Sequence, residues 1–354
     1  MVSMLLHNLS EEYEVHLVLQ NDTLFYDIPK TLPVHYLERS RADESGMKKL
    51  LKLPLLAFRY RRFLRRHGID CSLSFLSRPN YINVLAKYLG AKTKVIISER
   101  SMFSLHYGYG DPQSFINKKL VRLYDGADRI IANSKGNAED LRRSFGIKTP
   151  ITTIYNFVET VRCDKTIDKD KNPFIFITIG RMDAGKNHKL LIEALRRLPS
   201  NCELWIIGDG ALRDTLQALA DDRVKFLGRK KDIFSYLNRA HCFVFGSNHE
   251  GFPNVLLEAL TCKLPIISTD CRSGPREILA PATDFRHQTD TIEYAEFGIL
   301  TPVGDSEAMA EAMKRLYDDD DLAQTYRNKA KIRAKDFHKE KILHQYTKVI
   351  DAIT

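Results

Sequence analysis

Short apolar runs alternate with helical apolar spacing throughout the second half of the chain. Predicted strands cover residues 174–180, 203–207, 224–227, 242–246, 265–269 and 297–301. Predicted helices lie near residues 188–197, 210–220, 231–239, 254–262 and 306–317. Strands that alternate with helices in this way form a parallel sheet whose two faces are covered. The pattern therefore predicts a doubly wound α/β domain over residues 174–335.

The first half, residues 1–158, shows the same alternation and predicts a second Rossmann-like domain. Residues 1–12 have the spacing of an amphipathic helix and lead into a predicted strand at 13–19. A doubly wound domain normally opens with a strand and a glycine-rich turn before its first helix. We therefore expect this domain to lack its first strand, with a native strand and glycine-rich loop preceding residue 1. A natural variant that dispenses with this strand is the alternative.

Length and composition are those of a two-domain globular protein. With 354 residues the chain can bury two separate cores. Residues 159–173 alternate in charge without apolar periodicity and are the predicted linker, and residues 336–354 form a helix expected to pack back on the first domain. The six cysteines are scattered without a CxxC pair, so we expect reduced core thiols rather than disulfides or a zinc site.

The positive charge is confined to the first half. Residues 1–158 contain 24 Lys and Arg against 15 Asp and Glu, whereas the remainder contains 30 of each. This asymmetry predicts that the first half meets an anionic surface or ligand. Residues 48–67 interleave apolar and basic positions, which suits lipid headgroups, nucleic acid or a plain solvated face; nucleic acid is weaker, since no base-stacking signature accompanies them. The predicted lipid-facing residues are Lys52, Arg59, Arg62, Arg65 and Arg66.

The most informative stretch of the second half is EGFPNVLLE at residues 250–258, which connects a predicted strand to a predicted helix. Unpaired amides at a helix N-terminus bind anions, so this turn can hold a phosphate group. Glu250 and Glu258 bracket the turn and could contact sugar hydroxyls. An ordinary strand–helix connection with two solvated acids explains this stretch equally well when it is considered alone.

Three further turns follow other predicted strands of the same sheet. In GRMDAGKN, residues 180–187, the side chains of Arg181 and Lys186 supply two cations that can converge on a diphosphate. The sequence is not a Walker loop, because the GxxxxGK[ST] order fails. Two more predicted strands are followed by turns of this kind, one at Gly228 and Arg229 and the other at residues 273–277. Four polar turns at one sheet edge predict a single binding site.

The motifs GRMDAGKN, IIGDG, FLG and EGFPNVLLE, in this order, resemble those of the family 4 retaining glycosyltransferases of GT-B fold. The resemblance implies two Rossmann-like domains facing a cleft and a UDP-sugar as donor. It implies that Arg181 and Lys186 neutralise the diphosphate, that Glu250 faces the donor sugar and that Glu258 binds the ribose. The implied catalytic residues are Glu250, Arg181 and Lys186. The implied donor-binding residues are Gly180, Arg181, Lys186, Gly228, Arg229, Glu250, Gly251, Phe252, Asn254, Val255 and Glu258. No metal or other cofactor is expected, since cationic side chains and helix amides stabilise the leaving diphosphate.

The first half resembles a narrower group within that family. The segments EVHLVLQND, LKLPLLAFRYRRFLRRHGID, FLSRPNYINVLAKYLG and NSKGNAEDLRRSFG are similar to the N-acetylgalactosamine transferases of bacterial N-linked protein glycosylation. The resemblance implies a hexosyltransferase that uses UDP-GalNAc and a saccharide on undecaprenyl diphosphate. It also implies a peripheral position on the anionic inner face of the bacterial plasma membrane, and no nucleic acid. Polar turns after three predicted strands of this half could contact the acceptor, and each could equally be a helix cap. The predicted acceptor-side residues in these turns are Arg78, Glu99, Arg100, Ser134 and Lys135.

Three other functions fit the same motifs. A transferase that builds lipopolysaccharide or capsule would use another sugar and acceptor. A UDP-sugar epimerase shares the fold and would act without an acceptor. A non-catalytic scaffold would bind UDP-sugars and membrane only.

Overall fold

The computed structural model describes residues 2–20, 28–38, 45–106, 112–159 and 173–354. The chain divides into two compact units. The first contains Met1–Asn133, Asn137–Asn156 and Glu340–Thr354, and the second contains Ser134–Gly136 and Phe157–Lys339. The predicted linker lies almost entirely outside the described residues.

The first unit is built from parallel strands with helices between them. Its strands are β1 Leu17–Leu19, β2 Val34–Tyr36, β3 Cys71–Phe75, β4 Lys94–Glu99, β5 Arg129–Ala132 and β6 Ile151–Thr153. Its helices are α1 Val2–Glu12, α2 Gly46–Leu51, α3 Leu53–Arg66, α4 Ser77–Tyr88, α5 Phe103–His106, α6 Pro112–Val121 and most of α7, Lys135–Phe145. Its core packs strand residues such as Ile97 and Ile130 against Phe103 and Tyr124.

The strands of the first unit form two separate sheets. Among the described strands, β1 pairs with β2 alone, whereas β3, β4, β5 and β6 form a four-stranded parallel sheet. A cavity of about 1730 Å³ is lined by residues of both β1 and β3 and by Leu5 and Leu9 of α1. In the usual doubly wound order, the strand that opens the domain lies between the positions that β1 and β3 have here. That a native strand precedes residue 1 stays a prediction.

The second unit contains one continuous sheet. Its strands are β7 Phe174–Ile179, β8 Cys202–Ile207, β9 Val224–Gly228, β10 Cys242–Phe245, β11 Ile266–Thr269, β12 Glu293–Tyr294 and β13 Ile299–Thr301. Their order is β12-β13-β11-β10-β7-β8-β9, with only β12 antiparallel. Its helices are α8 His188–Leu195, α9 Arg213–Leu219, α10 Phe234–Leu237, α11 Asn254–Thr261, α12 Pro275–Leu279, α13 Ser306–Asp318 and α14 Asp320–Ala334. The predicted fold class, α/β with two Rossmann-like domains, is confirmed.

Three features of the described chain bear on its chemistry. The last helix, α15, spans Lys339–Asp351, and the division into units places Glu340–Thr354 with the first unit. Within the described ranges, no helix has both the length and the apolar character needed to cross a bilayer. Five cysteines in these ranges are free thiols, and four of them are buried. Cys163 lies outside the described residues.

Candidate active site

Two of the predicted motifs lie side by side at the carboxyl edge of the second sheet. Residues 180–187 follow β7 and residues 246–253 follow β10, and these two strands are paired. Asn248 joins the loops, because its backbone amide donates to the carbonyl of Gly185 at 2.8 Å and its side chain donates to the carbonyl of Ala184 at 3.0 Å. The pairing of β7 with β10 therefore brings Lys186 and Glu250 into one site. Sequence reasoning missed Asn248, since no pattern along the chain marks its two partners.

Lys186 and Glu250 form the central contact of this site. The Lys186 Nζ lies 2.5 Å from the Glu250 Oε1, and the Ser247 hydroxyl donates to the same oxygen at 2.7 Å. An ammonium group has three donors, so Lys186 retains two for a bound anion. No donor in the described part of the chain reaches the Glu250 Oε2. The pair can therefore offer a cation to a phosphate and an acceptor to a sugar hydroxyl simultaneously.

Arg181 is held by a neighbouring acid that the sequence did not single out. Its Nε donates to the Asp183 Oδ2 at 2.7 Å, and the Asp183 Oδ1 accepts the backbone amide of Lys186 at 3.0 Å. Burial favours the neutral acid, but the hydrogen bonds from Lys186 and Arg181 outweigh it and lower the pKa of Asp183. Asp183 therefore stays ionised and fixes the loop. The Arg181 side chain is 77% exposed, so its terminal nitrogens face solvent where an anion can reach them.

Helix α11 presents its N-terminus at the same edge. It begins at Asn254 after Pro253, whose side chain makes no capping hydrogen bond. The first amides of a helix attract anions, which fits the predicted phosphate contact at Asn254 and Val255. The preceding turn is fixed by the Ser273 hydroxyl, which donates to the carbonyl of Gly251 at 2.7 Å. Phe252 is buried below the turn, with its ring centroid 5.8 Å from that of Phe337.

Glu258 lies one helical turn into α11 and is half-buried. Burial raises the pKa of its carboxyl group to about 7. Its carboxylate has no hydrogen-bond partner within the described residues. A ribose presents two adjacent hydroxyl donors, and these would satisfy both oxygens of the ionised group. The position of Glu258 is therefore compatible with its predicted role of binding the ribose.

Close backbone packing positions the glycine turns of the site. A Cβ at Gly208, in the IIGDG motif, would lie 1.9 Å from the carbonyl oxygen of Gly180, so only glycine fits there. The Gly208 amide donates to the carbonyl of Gly228 at 3.0 Å, which connects this loop to the end of β9. Arg229 follows with an exposed side chain. Gly180, Gly208 and Gly228 therefore lie together, as the shared sheet edge predicted.

His188, at the start of α8, is a further site residue that the sequence did not indicate. It is buried, and a Cβ at Gly180 would lie 3.5 Å from its Cε1. Burial, assisted by the charge of Lys186, lowers its pKa to about 4, so the ring is neutral at physiological pH. Its Nδ1 has no hydrogen-bond partner among the described atoms. His188 therefore supports the loop beneath Lys186 without adding charge.

The acceptor-side residues predicted in the first unit have protein partners. Arg78 donates to Glu38 at 2.7 Å and to Gln20 at 3.2 Å. The carboxylate of Glu99 is fully buried and accepts hydrogen bonds from the Tyr124 hydroxyl and from the Arg100 amide, among others. Burial raises the pKa of Glu99.

Arg100 completes this set: its Nη1 donates to the Tyr346 hydroxyl at 3.3 Å. These hydrogen bonds hold the side chains of Arg78, Glu99 and Arg100 in place. Their contact with an acceptor stays a prediction. Ser134 and Lys135 belong to the second unit. Of the predicted lipid-facing residues, Arg59, Arg62, Arg65 and Arg66 are exposed, whereas Lys52 is half-buried with its Nζ 3.5 Å from Glu38.

Comparison with known proteins covers both halves of the chain. Residues 1–162 match the family model described as Glycosyltransferase Family 4, and residues 162–333 match that of Glycosyl transferases group 1. The chain is 39% identical, over 99% of its length and 94% of the relative, to the N-acetylgalactosamine-N,N'-diacetylbacillosaminyl-diphospho-undecaprenol 4-alpha-N-acetylgalactosaminyltransferase of Campylobacter jejuni. The chain belongs to the family 4 glycosyltransferases.

Two further comparisons accompany this assignment. The lipopolysaccharide 1,6-galactosyltransferase of Escherichia coli K12 is 28% identical over 59% of the chain and 65% of the relative. The structure of Anabaena HepE in complex with UDP superposes with a TM-score of 0.78 at 20% identity, covering 99% of this chain and 96% of HepE. The likeness to HepE shows the GT-B fold. The residues that carry the motifs of this chain cluster at the carboxyl edge of the second sheet.

Proposed function

We propose that this glycosyltransferase moves N-acetylgalactosamine from UDP-GalNAc to a saccharide carried on undecaprenyl diphosphate. The Campylobacter relative, whose name states a reaction of this kind, aligns with nearly the whole chain, including the basic first half. The observation that carries the proposal is the Lys186–Glu250 contact beside the N-terminus of α11. Together they offer cations and amides for a diphosphate and a carboxylate for a sugar.

The proposed transfer retains the α-configuration of the sugar. The acceptor oxygen forms a bond to the anomeric carbon while the bond from that carbon to the diphosphate oxygen breaks. The bonding electrons leave with UDP, and the acceptor proton passes to the departing phosphate oxygen. Arg181, Lys186 and the amides at Asn254 and Val255 stabilise the charge that grows on this oxygen. Because these groups bind the transition state more strongly than the bound donor, they raise turnover and not only donor affinity.

These same groups take the role that a divalent cation has in many other transferases. We therefore propose that the reaction is independent of added metal, and that activity persists in EDTA. The acceptor lipid is embedded in a bilayer, so the proposal includes a peripheral position on the inner face of the bacterial plasma membrane.

The direct test supplies radiolabelled UDP-GalNAc together with undecaprenyl diphosphate that carries N-acetylgalactosaminyl-diacetylbacillosamine. We expect one product, longer by a GalNAc that an α-N-acetylgalactosaminidase removes, and no such product from Lys186→Ala. Release of epimerised free sugar without acceptor would instead show an epimerase. Binding of UDP-GalNAc without any transfer would show a scaffold.

A second candidate is transfer of a different sugar during lipopolysaccharide assembly. The match to the Escherichia coli lipopolysaccharide 1,6-galactosyltransferase favours it, although it covers a smaller share of the chain. Parallel assays with UDP-galactose and a lipopolysaccharide acceptor separate the two reactions. Galactosylation faster than GalNAc transfer would replace the first proposal with the second.

A further inference from the structure

Ser273 is a non-glycine residue in the left-handed backbone region, with a φ of 70°. It lies in the turn between β11 and α12 and is buried at 7% exposure. Glycine adopts this conformation at much lower cost, because it has no Cβ to meet the backbone. Strained residues of this kind persist where the surrounding structure holds them, and they are frequent at functional sites. The side chain of Ser273 therefore contributes an interaction that glycine could not make.

The Ser273 hydroxyl connects two parts of the second unit. It donates to the carbonyl of Gly251 at 2.7 Å, and its oxygen lies 2.6 Å from the hydroxyl of Ser134, which belongs to the same unit. A hydroxyl has one proton to donate, so Ser134 is the donor in the second of these bonds. Gly251 follows Glu250 directly and precedes the first residue of α11 by three positions. A bond to its carbonyl therefore affects both the Glu250 carboxylate and the first amides of α11.

Two further contacts join the turn of Ser273 to the loop at residues 246–253. The Thr269 hydroxyl, at the end of β11, donates to the carbonyl of Ser247 at 2.6 Å. Gly274 packs so closely against the other end of the loop that a Cβ there would lie 2.4 Å from the Pro253 Cδ. The loop is thus held at both ends by residues at or after the end of β11, and Ser273 holds its middle.

A buried ion cluster closes the turn that carries Ser273. Arg276, on α12, is 3% exposed, and Asp270, directly after β11, is 1% exposed. The Arg276 Nε and Nη2 donate to the Asp270 Oδ2 at 3.1 and 2.6 Å. The remaining hydrogens of the guanidinium group bind Glu293 and Thr283, and the Glu293 Oε2 lies 2.6 Å from Nη2. Because Asp270 and Arg276 stand on either side of Ser273, their charged hydrogen bonds hold the strained turn in place.

We propose that Ser273 is a positioning residue for sugar transfer. Its hydroxyl holds the carbonyl of Gly251, and this bond sets the place of Glu250 and of the α11 N-terminus against the donor. The inference rests on the proposed function and adds a residue that acts through Gly251 and not on the donor itself. A misplacement of about 1 Å at reacting groups costs about a hundredfold in rate, so loss of the bond should act mainly on kcat.

Two substitutions of Ser273 separate positioning from stability. Ser273→Ala removes the hydroxyl and keeps the strained backbone, whereas Ser273→Gly removes the hydroxyl and relieves the strain. We expect kcat for GalNAc transfer to fall about tenfold to a hundredfold in both variants, with KM for UDP-GalNAc within about threefold of the unmodified value. Thermal unfolding should nevertheless give Ser273→Gly the higher melting temperature of the two. A role in stability alone would instead make turnover follow the melting temperature.

Lys263→Gly is the matched control for the relief of strain. Lys263 also has a left-handed backbone, with a φ of 55°, and it lies between α11 and β11, at the opposite end of α11 from Asn254. Glycine is the favoured residue just after a helix in this conformation, so the substitution should raise the melting temperature. The values of kcat and KM should equal those of the unmodified chain.

Amide hydrogen exchange, measured by mass spectrometry, tests how the loop is held in the absence of substrate. Exchange in residues 250–256 should become faster in both variants of Ser273 and remain unchanged in Lys263→Gly. Ser134→Ala is a second control, because it removes one partner of Ser273 and keeps the bond to Gly251. Exchange of the same residues in Ser134→Ala should again match that of the unmodified chain.

The outcomes distinguish this inference from the proposed function. Unchanged exchange in both variants of Ser273, or turnover that follows the melting temperature, would overturn the positioning role. An unmodified chain that transfers no GalNAc, while both variants loosen residues 250–256, would refute the proposed function and uphold the bond by which Ser273 holds the loop. The same comparison of kcat would then be made with the sugar that the chain does transfer.

Discussion

The two units share an α/β construction and differ in how they use it. The second unit has one seven-stranded sheet, and its polar loops meet at the carboxyl edge of paired strands. The first unit has two smaller sheets with a large cavity lined by a strand of each. A complete sheet gives the second unit a rigid edge on which Lys186 and Glu250 are held at 2.5 Å.

The two units also differ in net charge and in the number of large hydrophobic side chains that they expose. The excess of basic residues lies entirely in residues 1–158, while the rest of the chain is balanced. The first unit also carries most of the large hydrophobic side chains that are exposed in the described residues. A surface that is both basic and apolar suits a lipid, whereas converging cations and acids suit a nucleotide sugar. From this comparison we predict donor chemistry in the second unit and contact with the lipid phase in the first.

The largest expected effect tests whether the second unit carries the chemistry. Lys186→Ala should lower kcat by about a hundredfold to a thousandfold, because one preorganised donor to the leaving diphosphate is lost. Lys189→Ala is the matched control, since Lys189 lies three residues further along the chain, in the first turn of α8, with a side chain that is 64% exposed. Initial rates of radiolabelled transfer measure both variants. Turnover of Lys186→Ala equal to that of the control would remove Lys186 from the reaction.

The next effect tests how rigidly the sheet edge is packed. Gly208→Ala places a Cβ 1.9 Å from the Gly180 oxygen and strains a φ of +144°, whereas Gly304→Ala strains a φ of +82° with no atom within 4 Å. Both variants lose about 1–3 kcal/mol to backbone strain, and Gly208→Ala should lose about 1–3 kcal/mol more through overpacking. Urea unfolding followed by Trp205 fluorescence is suitable, because this sole tryptophan lies in β8 of the second unit. Equal losses of unfolding free energy in the two variants would show that the loops at Gly180 and Gly208 move apart readily to admit the added Cβ.

The sequence predicted the second unit better than the first, for physical reasons. Strands such as β7 and β10 are almost wholly buried, so each appears as an uninterrupted apolar run. The cations and acids of the site stood in recognisable turns after those strands. Asp183, His188 and Asn248 were missed because their roles depend on hydrogen bonds or burial across the fold.

In the first unit the periodicity of residues 48–67 left open which side packs inward. Leu55 and Leu56 are adjacent and chemically identical, and only the fold shows that Leu56 is buried at 1% and Leu55 is exposed at 52%. Apolar spacing can predict that a helix is amphipathic, but a helix with apolar residues on two sides needs a structure to assign them.

A smaller effect concerns the pH dependence of donor binding in the second unit. The pKa of Glu258 is raised to about 7 by burial, and the ionised carboxylate can accept both ribose hydroxyls. The affinity for UDP-GalNAc should therefore rise with pH up to about 7 and then level, by at most about tenfold per pH unit. Glu258→Gln should flatten this dependence in isothermal titration calorimetry. An unchanged pH profile in Glu258→Gln would assign the titration to another group.

The same rise in the pKa of Glu258 makes the unliganded protein less stable, not more, as the pH increases. Because the folded carboxyl group holds its proton to a higher pH than the unfolded one, the free energy of unfolding should fall as the pH rises from about 4.5 through about 7. Saturating UDP-GalNAc should reduce this loss, since the bound ribose stabilises the ionised form. Comparison of urea midpoints with and without the donor measures both trends.

The smallest expected effect sharpens the assignment of the first unit. Leu55→Ala should change the free energy of unfolding by less than about 0.5 kcal/mol, because its side chain is exposed at 52% and contributes little to the core. Leu56→Ala, one residue further along α3, should cost about 2–5 kcal/mol, because its side chain is buried at 1%. Calorimetric unfolding of both variants in the absence of lipid measures the difference. A large loss from Leu55→Ala would mean that another part of the chain covers this position.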